Sequence, residues 1–477
     1  MTARRRVFLL SLCLPLAFTV TGILAYQYRI DLSNRMQAGL SLPNASAPTK
    51  QSSIIIFAPH CDDETIATGG LIHLALKDGA RVKVVVLTNG DGFRVATELE
   101  YRDVRPSPSE YIRFAEERQR DVAAAAATMG LPRRALIYLG YPDRGLMAMW
   151  VTNWSPMSPF RSKYTKLTRS PYRNAYRRNA LYCGQSLFED IRSILAEYKP
   201  TDVYVTHPSD DHSDHAAAYA FVAAALDSLA GDAKAPKTRV HTYLAHRGEW
   251  PSPMGFKPKA PLRPPFAMAK LDTDWDILPL DRATVLLKKK AIMRHKSQVR
   301  VMRKYLLSFA RRNELFGDIR PAGIAAVPDG RMVIDGEPGD WTGIRPVEKD
   351  PVADKLLRAF EKAGDLRRIY LCADESNLYV RLDFRRNLSK RALYRITIRS
   401  FGETPRGEST RLWTATVKPP SRCVPAGTYF AWQGPVLELM VPRSELDPAD
   451  RVFICADTSV MRLKIDNSGW RGCAFRR

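Results

Sequence analysis

The chain has 477 residues, 45% hydrophobic and 26% charged, proportions of an ordinary globular protein that exclude a disordered or fibrous chain. That length exceeds what one hydrophobic core usually organises, so two domains plus an extension are expected. Lys and Arg total 73 against 50 Asp and Glu, a net charge of +23 that favours acidic polysaccharide, anionic lipid or nucleic acid as partners; no helix-turn-helix, zinc-finger or RNP-like pattern accompanies it, so no nucleic acid is expected.

Arg4, Arg5 and Arg6 precede an uncharged run from Val7 to Tyr26. Positive residues ahead of about 20 apolar ones fit an export signal or a single membrane span whose start stays in the cytoplasm. The run is longer than a signal-peptide core and no A-x-A site follows it. Leu12, before Cys13, is too large for a good lipoprotein cleavage site. An uncleaved anchor at 1–26 is therefore favoured over a cleaved signal, and the bulk of the chain is expected on the periplasmic or extracellular side. Residues 27–50 gain Ser, Pro and Asn and read as a linker.

Strands and helices then alternate. SSIIIFA (52–58) is a continuous apolar run, as expected of a parallel strand covered on both faces. A helix over 65–79, a strand over 81–90 and a long helix over 109–129, stopped by Gly130 and Pro132, follow. Further strands are predicted at 135–143, 202–208 and 239–248, with helices at 181–199 and 214–230 between them and a closing helix or helix pair at 283–311. This alternation predicts a Rossmann-like α/β domain over 51–318, with a mostly parallel sheet and ligands bound outside the carboxyl ends of its strands. From about 325 the texture changes to turns and period-two alternation, which predicts an antiparallel β-sandwich over 325–477.

Four polar clusters, APHCDDE (58–64), LTNGDG (87–92), LGYPD (139–143) and VTHPSDDHSDH (205–215), each follow a predicted strand and should converge on one crevice. His60 and Asp63 can face one metal from a single tight loop while Asp62 points elsewhere, and His207, His212 and His215 offer a third ligand from another strand end. Two histidines and a carboxylate, with a position left open for water, form a standard catalytic zinc set.

PHCDDETIATGG (59–70) resembles the PHPDDExxxxGG signature of the PIG-L/LmbE-type N-acetylglucosaminyl deacetylases, and HSDH (212–215) matches that family's His-x-Asp-His. LTNGDG, Arg118-x-x-Asp121 with LGYPD after it, and KKKAIMRHKSQ (288–298) extend the resemblance to about residues 52–315. By position it implies His60, Asp63 and His215 as ligands of Zn2+, or of another divalent metal such as Fe2+. It implies Asp62 as the general base that takes a proton from the attacking water, and His212 as a cationic group that stabilises the oxyanion or protonates the departing amine. Arg118 is implied as a substrate contact and Asp143 as a partner of sugar hydroxyls. The chain departs from the pattern at Cys61, where Pro is usual, and at Asp121, where Glu is usual. Cys61 reads as a packing substitution, with a ligating or regulatory thiol as the alternative; Asp121 weakens the transfer of a role to Arg118.

His246 and Trp250, after the fifth strand, are candidates to line the substrate cleft or to pack its rim. Residues 161–178 carry seven basic residues, three tyrosines and no acid. They fit a polysaccharide track, a juxtamembrane lipid contact or a plain solvated face. IDGEPGDWTG (334–343) and the stretch 365–384 weakly resemble family-nine carbohydrate-binding β-sandwich modules, with Trp341, Trp413 and Trp432 as candidate stacking residues or core. Cys372, Cys423, Cys455 and Cys473 suggest up to two disulfides, or else buried thiols. Together these features point to a metal-dependent hydrolase of a linear amide. Its expected substrates are N-acetylated amino sugars of an extracytoplasmic, possibly acidic glycan or glycolipid, reached from a membrane anchor. The alternatives are an amidase on another N-acyl substrate and a glycan-binding scaffold with a degenerate hydrolase domain.

Overall fold

The computed structural model describes residues 39–475 apart from 231–237, 249, 270, 352–361, 405, 406, 420 and 424. The expected anchor and most of the expected linker lie outside the described residues, among which no helix is long and apolar enough to cross a membrane.

The first sheet holds β1 (Ser53–Ala58), β2 (Arg81–Thr88), β3 (Leu136–Tyr141), β4 (Asp202–Thr206), β5 (Arg239–Tyr243), β6 (Thr273–Pro279) and β7 (Asn313–Ile319), in the order β3-β2-β1-β4-β5-β7-β6. The first five are parallel; β7 runs antiparallel to β5 and β6 antiparallel to β7. The helices are α1 (Asp63–Lys77), α2 (Arg94–Tyr101), α3 (Pro108–Met129), α4 (Leu146–Val151), α5 (Gly184–Tyr198), α6 (Ser213–Leu229), α7 (Arg282–Ile292) and α8 (Lys296–Leu307). Strand period two divides the apolar runs between two layers. Ile54, Ile56, Val84 and Val86 pack with Leu71, Val122 and Val285 on one face, while Ile55, Phe57, Val85 and Leu87 pack with Leu187, Ile191 and Phe221 on the other. That two-sided burial is why SSIIIF carries no polar alternation.

The closing segment is the helix pair α7 and α8, divided at Met293–His295. Two features were not foreseen. The β6–β7 pair was not expected because both strands are short and Asp274 and Asp276 interrupt the apolar residues of TDWDILP. The end of the expected linker is also held: Ala45 donates to the Ile277 carbonyl at 2.7 Å and Ile277 to that of Pro43 at 3.0 Å, which adds a short segment beside β6.

The C-terminal region forms a second, twelve-stranded sheet that curls on itself. Its strands are β8 (Ala322–Ala326), β9 (Pro346–Lys349), β10 (Leu366–Ala373), β11 (Asn377–Phe384), β12 (Ala392–Thr404), β13 (Gly407–Lys418), β14 (Ser421–Cys423), β15 (Tyr429–Gln433), β16 (Val436–Pro442), β17 (Arg451–Val460), β18 (Leu463–Asn467) and β19 (Arg471–Phe475). Strand β8 pairs in parallel with both β19 and β10 and so joins two otherwise antiparallel halves. Leu371, Val380 and Leu439 of one half meet Ile396, Ile398 and Ile454 of the other in a shared core. Trp341 and Trp413 are 2% and 3% exposed, so they are core residues and unable to stack on a sugar. Trp432 is half-buried and lies parallel to Phe430 at 5.6 Å. Cys372, Cys455 and Cys473 are free and buried, which replaces the disulfide expectation for these three; burial pushes each thiol up to about 12. The Cys423 side chain lies outside the described residues.

One ion cluster lies away from the crevice and predicts a pH response. His241 Nδ1 is 2.7 Å from Asp318 and its Nε2 is 3.1 Å from Asp202. Burial opposes its charge, but the two carboxylates outweigh burial and raise it to about 9. A folded pKa raised above the unfolded value of about 6.5 stabilises fully below that value and is lost as pH climbs through about 9. The melting temperature should therefore fall between pH 6.5 and 9, and a His241→Gln variant should show a flatter profile; parallel profiles would exclude this cluster as the cause.

Candidate metal centre and active site

β1 and β4 are neighbours where the strand order reverses, the point at which an open parallel sheet leaves a crevice at its carboxyl edge. The loop after β1 leads directly into α1 and carries His60 and Asp63; the loop after β4 leads into α6 and brings His215 on the first turn. His60 Nδ1 is 3.1 Å from His215 Nε2 and 3.3 Å from Asp63 Oδ2, and His215 Nε2 is 3.2 Å from the same oxygen. A tetrahedral cation with ligands at about 2.0–2.1 Å spaces its donors about 3.3–3.4 Å apart, so this triangle fits a divalent metal without rearrangement.

The outer ends of the rings make the same case. His60 Nε2 faces Asp143 Oδ1 at 3.3 Å and Asp214 Oδ2 at 3.4 Å, and His215 Nδ1 faces Asp210 Oδ2 at 3.4 Å. A carboxylate behind each histidine fixes the tautomer and turns the opposite lone pair toward a cation. Asp63 Oδ1 is buried and without a hydrogen-bond partner, a polar atom that a cation would satisfy. His212 and His246 stand around this triangle: one donor atom each of His60, His212 and His215, and likewise of Asp63, His215 and His246, fall within 4.8 Å of one another.

Asp62 is buried in the same loop with Arg118 Nη2 at 3.7 Å from its Oδ1. Burial pushes its carboxyl up to about 6, a shift that Arg118 opposes and Asp63 reinforces. His212 caps α6, its Nδ1 accepting the Asp214 N–H at 3.2 Å. Burial and the neighbouring His60 and His215 hold its pKa down at about 2. Because Nδ1 accepts the Asp214 N–H, the ring proton lies on Nε2, which is left as a hydrogen-bond donor.

Arg118 and Asp143, both expected at the substrate, also hold the loops of the site. Arg118 is 3% exposed; it donates to the Gly90 carbonyl at 3.1 Å and the Cys61 carbonyl at 3.2 Å, clamping the loops after β1 and β2 together. Asp143 Oδ2 accepts the Gly92 N–H at 3.0 Å while its other oxygen faces His60, so it orients a ligand. Gly90 is needed twice in this clamp: its φ is +68°, and a methyl group there would fall 1.6 Å from Arg118 Nη1. Gly90→Ala should cost about 2 kcal/mol or more in stability from the left-handed backbone alone and should also slow any reaction that depends on Asp62. Unchanged melting temperature and turnover would show that the clamp is dispensable.

The KKKAIMRHKSQ segment supports the same loop from behind. His295 Nε2 is 2.9 Å from Thr65 Oγ1 and 3.3 Å from Glu64 Oε1, so Glu64 turns inward in the first helical turn. Ser297 donates to Asp121 through N–H and hydroxyl at 2.9 and 2.6 Å, and Gln298 donates to the Cys61 carbonyl. Asp121 thus ties α3 to α8. Cys61 is fully buried among the apolar side chains beneath α1, and burial raises its thiol well above the usual range, as befits packing.

His246 lies parallel to Tyr305 at 5.6 Å, with its ring 4.9 Å from that of His215, and is half-buried at the mouth. Trp250 turns away, donating to the Arg263 carbonyl at 2.7 Å and packing on Phe309. His207 also stays outside the centre, held by Thr273 and lying against Trp275. Asp210 and Asp214 were not singled out from the sequence, although their acid-rich motif was; Asp91, which accepts from Tyr172 and from the Asp143 N–H, was missed as well.

Residues 55–226 match the PIG-L family, described as GlcNAc-PI de-N-acetylase. Among solved structures, N,N'-diacetylchitobiose deacetylase from Pyrococcus horikoshii is 18% identical, over 61% of this chain and 91% of its own, with a TM-score of 0.35. The zinc-inhibited form of teicoplanin deacetylase Orf2 is 15% identical, over 56% of this chain and 97% of its own, with a TM-score of 0.36. A conserved protein from Thermus thermophilus is 20% identical, over 54% of this chain and 85% of its own, with a TM-score of 0.32. No curated protein matches the chain.

Proposed function

We propose that this chain is a divalent-metal-dependent N-deacetylase, with zinc as the resident metal, acting on N-acetylated amino sugars outside the cytoplasm. The observation that carries the proposal is the triangle of His60, Asp63 and His215, with every side 3.1–3.3 Å and Asp62 in the same loop. The family match over residues 55–226 supports an amide-hydrolysing role for that constellation. A degenerate scaffold would have lost a ligand or the base, whereas all five positions are present. The uncharged run after Arg4–Arg6 supports the extracytoplasmic setting.

A divalent cation bound there would polarise the acetyl carbonyl and lower the pKa of water toward about 7. The remaining work falls to side chains of this chain. Asp62 holds the attacking water and accepts its proton. The Nε2–H of His212 donates to the carbonyl oxygen as negative charge develops on it. Asp62 then returns its proton to the departing nitrogen, so water and amide become acetate and a free amine.

The test is acetate release from N-acetylated oligosaccharides by the purified full-length chain, run alongside metal analysis. Acetate release with a single divalent cation per chain is expected; a metal-free chain that still releases acetate, or a metal-loaded chain inert toward every N-acetylated sugar, would overturn the proposal.

A further inference from the structure

Resting on that reading, we propose that the site takes an anionic N-acetylated glycan, whose acidic groups lie along a cationic wall built by the segment between α4 and α5. Residues 152–183 have no long helix or strand, yet they are firmly held. Tyr172 donates to Asp91 at 2.8 Å, Asn174 to Gln119 at 2.8 Å, and the Tyr176 N–H to the Tyr138 carbonyl at 2.8 Å. Its buried side chains are neutral, and every charged side chain it exposes is positive. Lys163, Lys166, Arg169 and Arg173 all face solvent. Arg177 pairs with Glu189 and Asp190, whereas those four have no acidic partner among the described residues.

The wall borders the catalytic crevice. A methyl group at Gly92 would fall 2.8 Å from Tyr164 Cε2 and 3.0 Å from Asp143 Oδ2, so the turn carrying Lys163 and Lys166 abuts the carboxylate that orients His60. Arg144 adds a further exposed cation at the loop after β3. Its backbone N–H donates to Asp214 Oδ2 at 2.6 Å, its φ is +61°, and its side chain is exposed. Gly or Asn would adopt that left-handed conformation at lower cost, yet the position, whose backbone holds the carboxylate behind His60, carries an arginine. Unpaired cations concentrated at one edge of a crevice raise the local concentration of anionic ligands, and Arg meets carboxylate, phosphate and sulfate groups in a planar fork. Because these cations line the edge of a crevice, with Arg144 on the loop that holds Asp214, a glycan chain entering the site fits better than a flat bilayer.

The experiment compares two N-acetylated oligosaccharides of equal length, one neutral and one with alternating uronic acid, in wild type, Arg144→Gln and a Lys163→Gln/Lys166→Gln/Arg169→Gln/Arg173→Gln variant whose folding is checked by melting temperature. The expected result is a wild-type preference in kcat/KM for the uronate substrate that falls about tenfold in the quadruple variant, or 1.4 kcal/mol, and that fades at high salt. No preference in wild type, or its survival in both variants, would overturn the proposal. So would loss of binding to phosphatidylglycerol vesicles in the quadruple variant with the glycan preference intact, which would assign the wall to a membrane. Direct binding of a labelled uronate oligosaccharide separates the two levels: binding that depends on the four cations without acetate release from either substrate would retain the wall and reject the deacetylase reading.

Discussion

Asp62→Asn should reduce kcat for acetate release by about 10²–10⁴-fold, the range for losing a positioned general base, while the chain keeps its metal. The substitution is nearly isosteric and removes none of the three donors of the triangle, because His60, Asp63 and His215 meet one another without help from Asp62. Asp143→Asn provides the contrast. It leaves Asp62 in place but weakens the carboxylate behind His60 Nε2, a kind of change that typically costs about 10–100-fold in metal affinity or activity. Excess metal should therefore restore much of the Asp143→Asn activity and none of the Asp62→Asn activity. Restoration of Asp62→Asn by metal, or retention of most of its turnover, would remove Asp62 from the chemistry.

The contrast also shows what could be read from the residue pattern. Ligand spacing is a local property: His60 and Asp63 share one loop, and a strand–loop–helix unit places them together whatever the rest of the chain does. Convergence with His215 was likewise accessible, because strand-end motifs of a parallel sheet meet at the point where the strand order reverses. The direction in which a charged side chain points was not accessible. Arg118 and Asp143 sit in motifs that read as substrate contacts, and each is also held by backbone groups of a neighbouring loop, Gly90 and Cys61 for one and Gly92 for the other. Those partners are 28 to 57 residues away in sequence, so no short-range periodicity reports them. His212 illustrates the same limit: its Nδ1 is taken up by the Asp214 N–H, a property of assembled structure. The fate of the C-terminal tryptophans and cysteines depended on which face of a curled sheet closes inward, and alternation alone does not say which face that is.

Trp150→Ala should destabilise the whole described protein by about 3–5 kcal/mol, the usual cost of emptying a large aromatic site in a core, and the two sheets should still unfold in one transition. Trp150 lies on α4, only a few residues after Asp143, and is fully buried. Its ring centroid is 4.9 Å from Phe221 in the first domain and 5.8, 5.5 and 5.6 Å from Phe401, Phe453 and Trp470 in the second. The Arg399 guanidinium stacks over both Trp150 and Trp154, at 5.5 and 4.4 Å from the ring centroids, and burial lowers its pKa to about 9. Removing the indole would leave that buried cation with less of its π partner, which adds to the cavity cost. The same interface reaches the catalytic loops. The Trp470 N–H approaches Met147 Sδ at 3.3 Å, just past the turn whose N–H groups hold Asp214, and a methyl group on Gly469 would fall 2.5 Å from the Pro208 carbonyl oxygen in the motif that carries His212 and His215. The second sheet thus braces the loops that orient both ligand histidines, so Trp150→Ala should lower metal affinity together with stability. Two separated melting transitions in the wild type, or a Trp150→Ala chain that melts normally with full metal content, would show that the sheets are energetically independent.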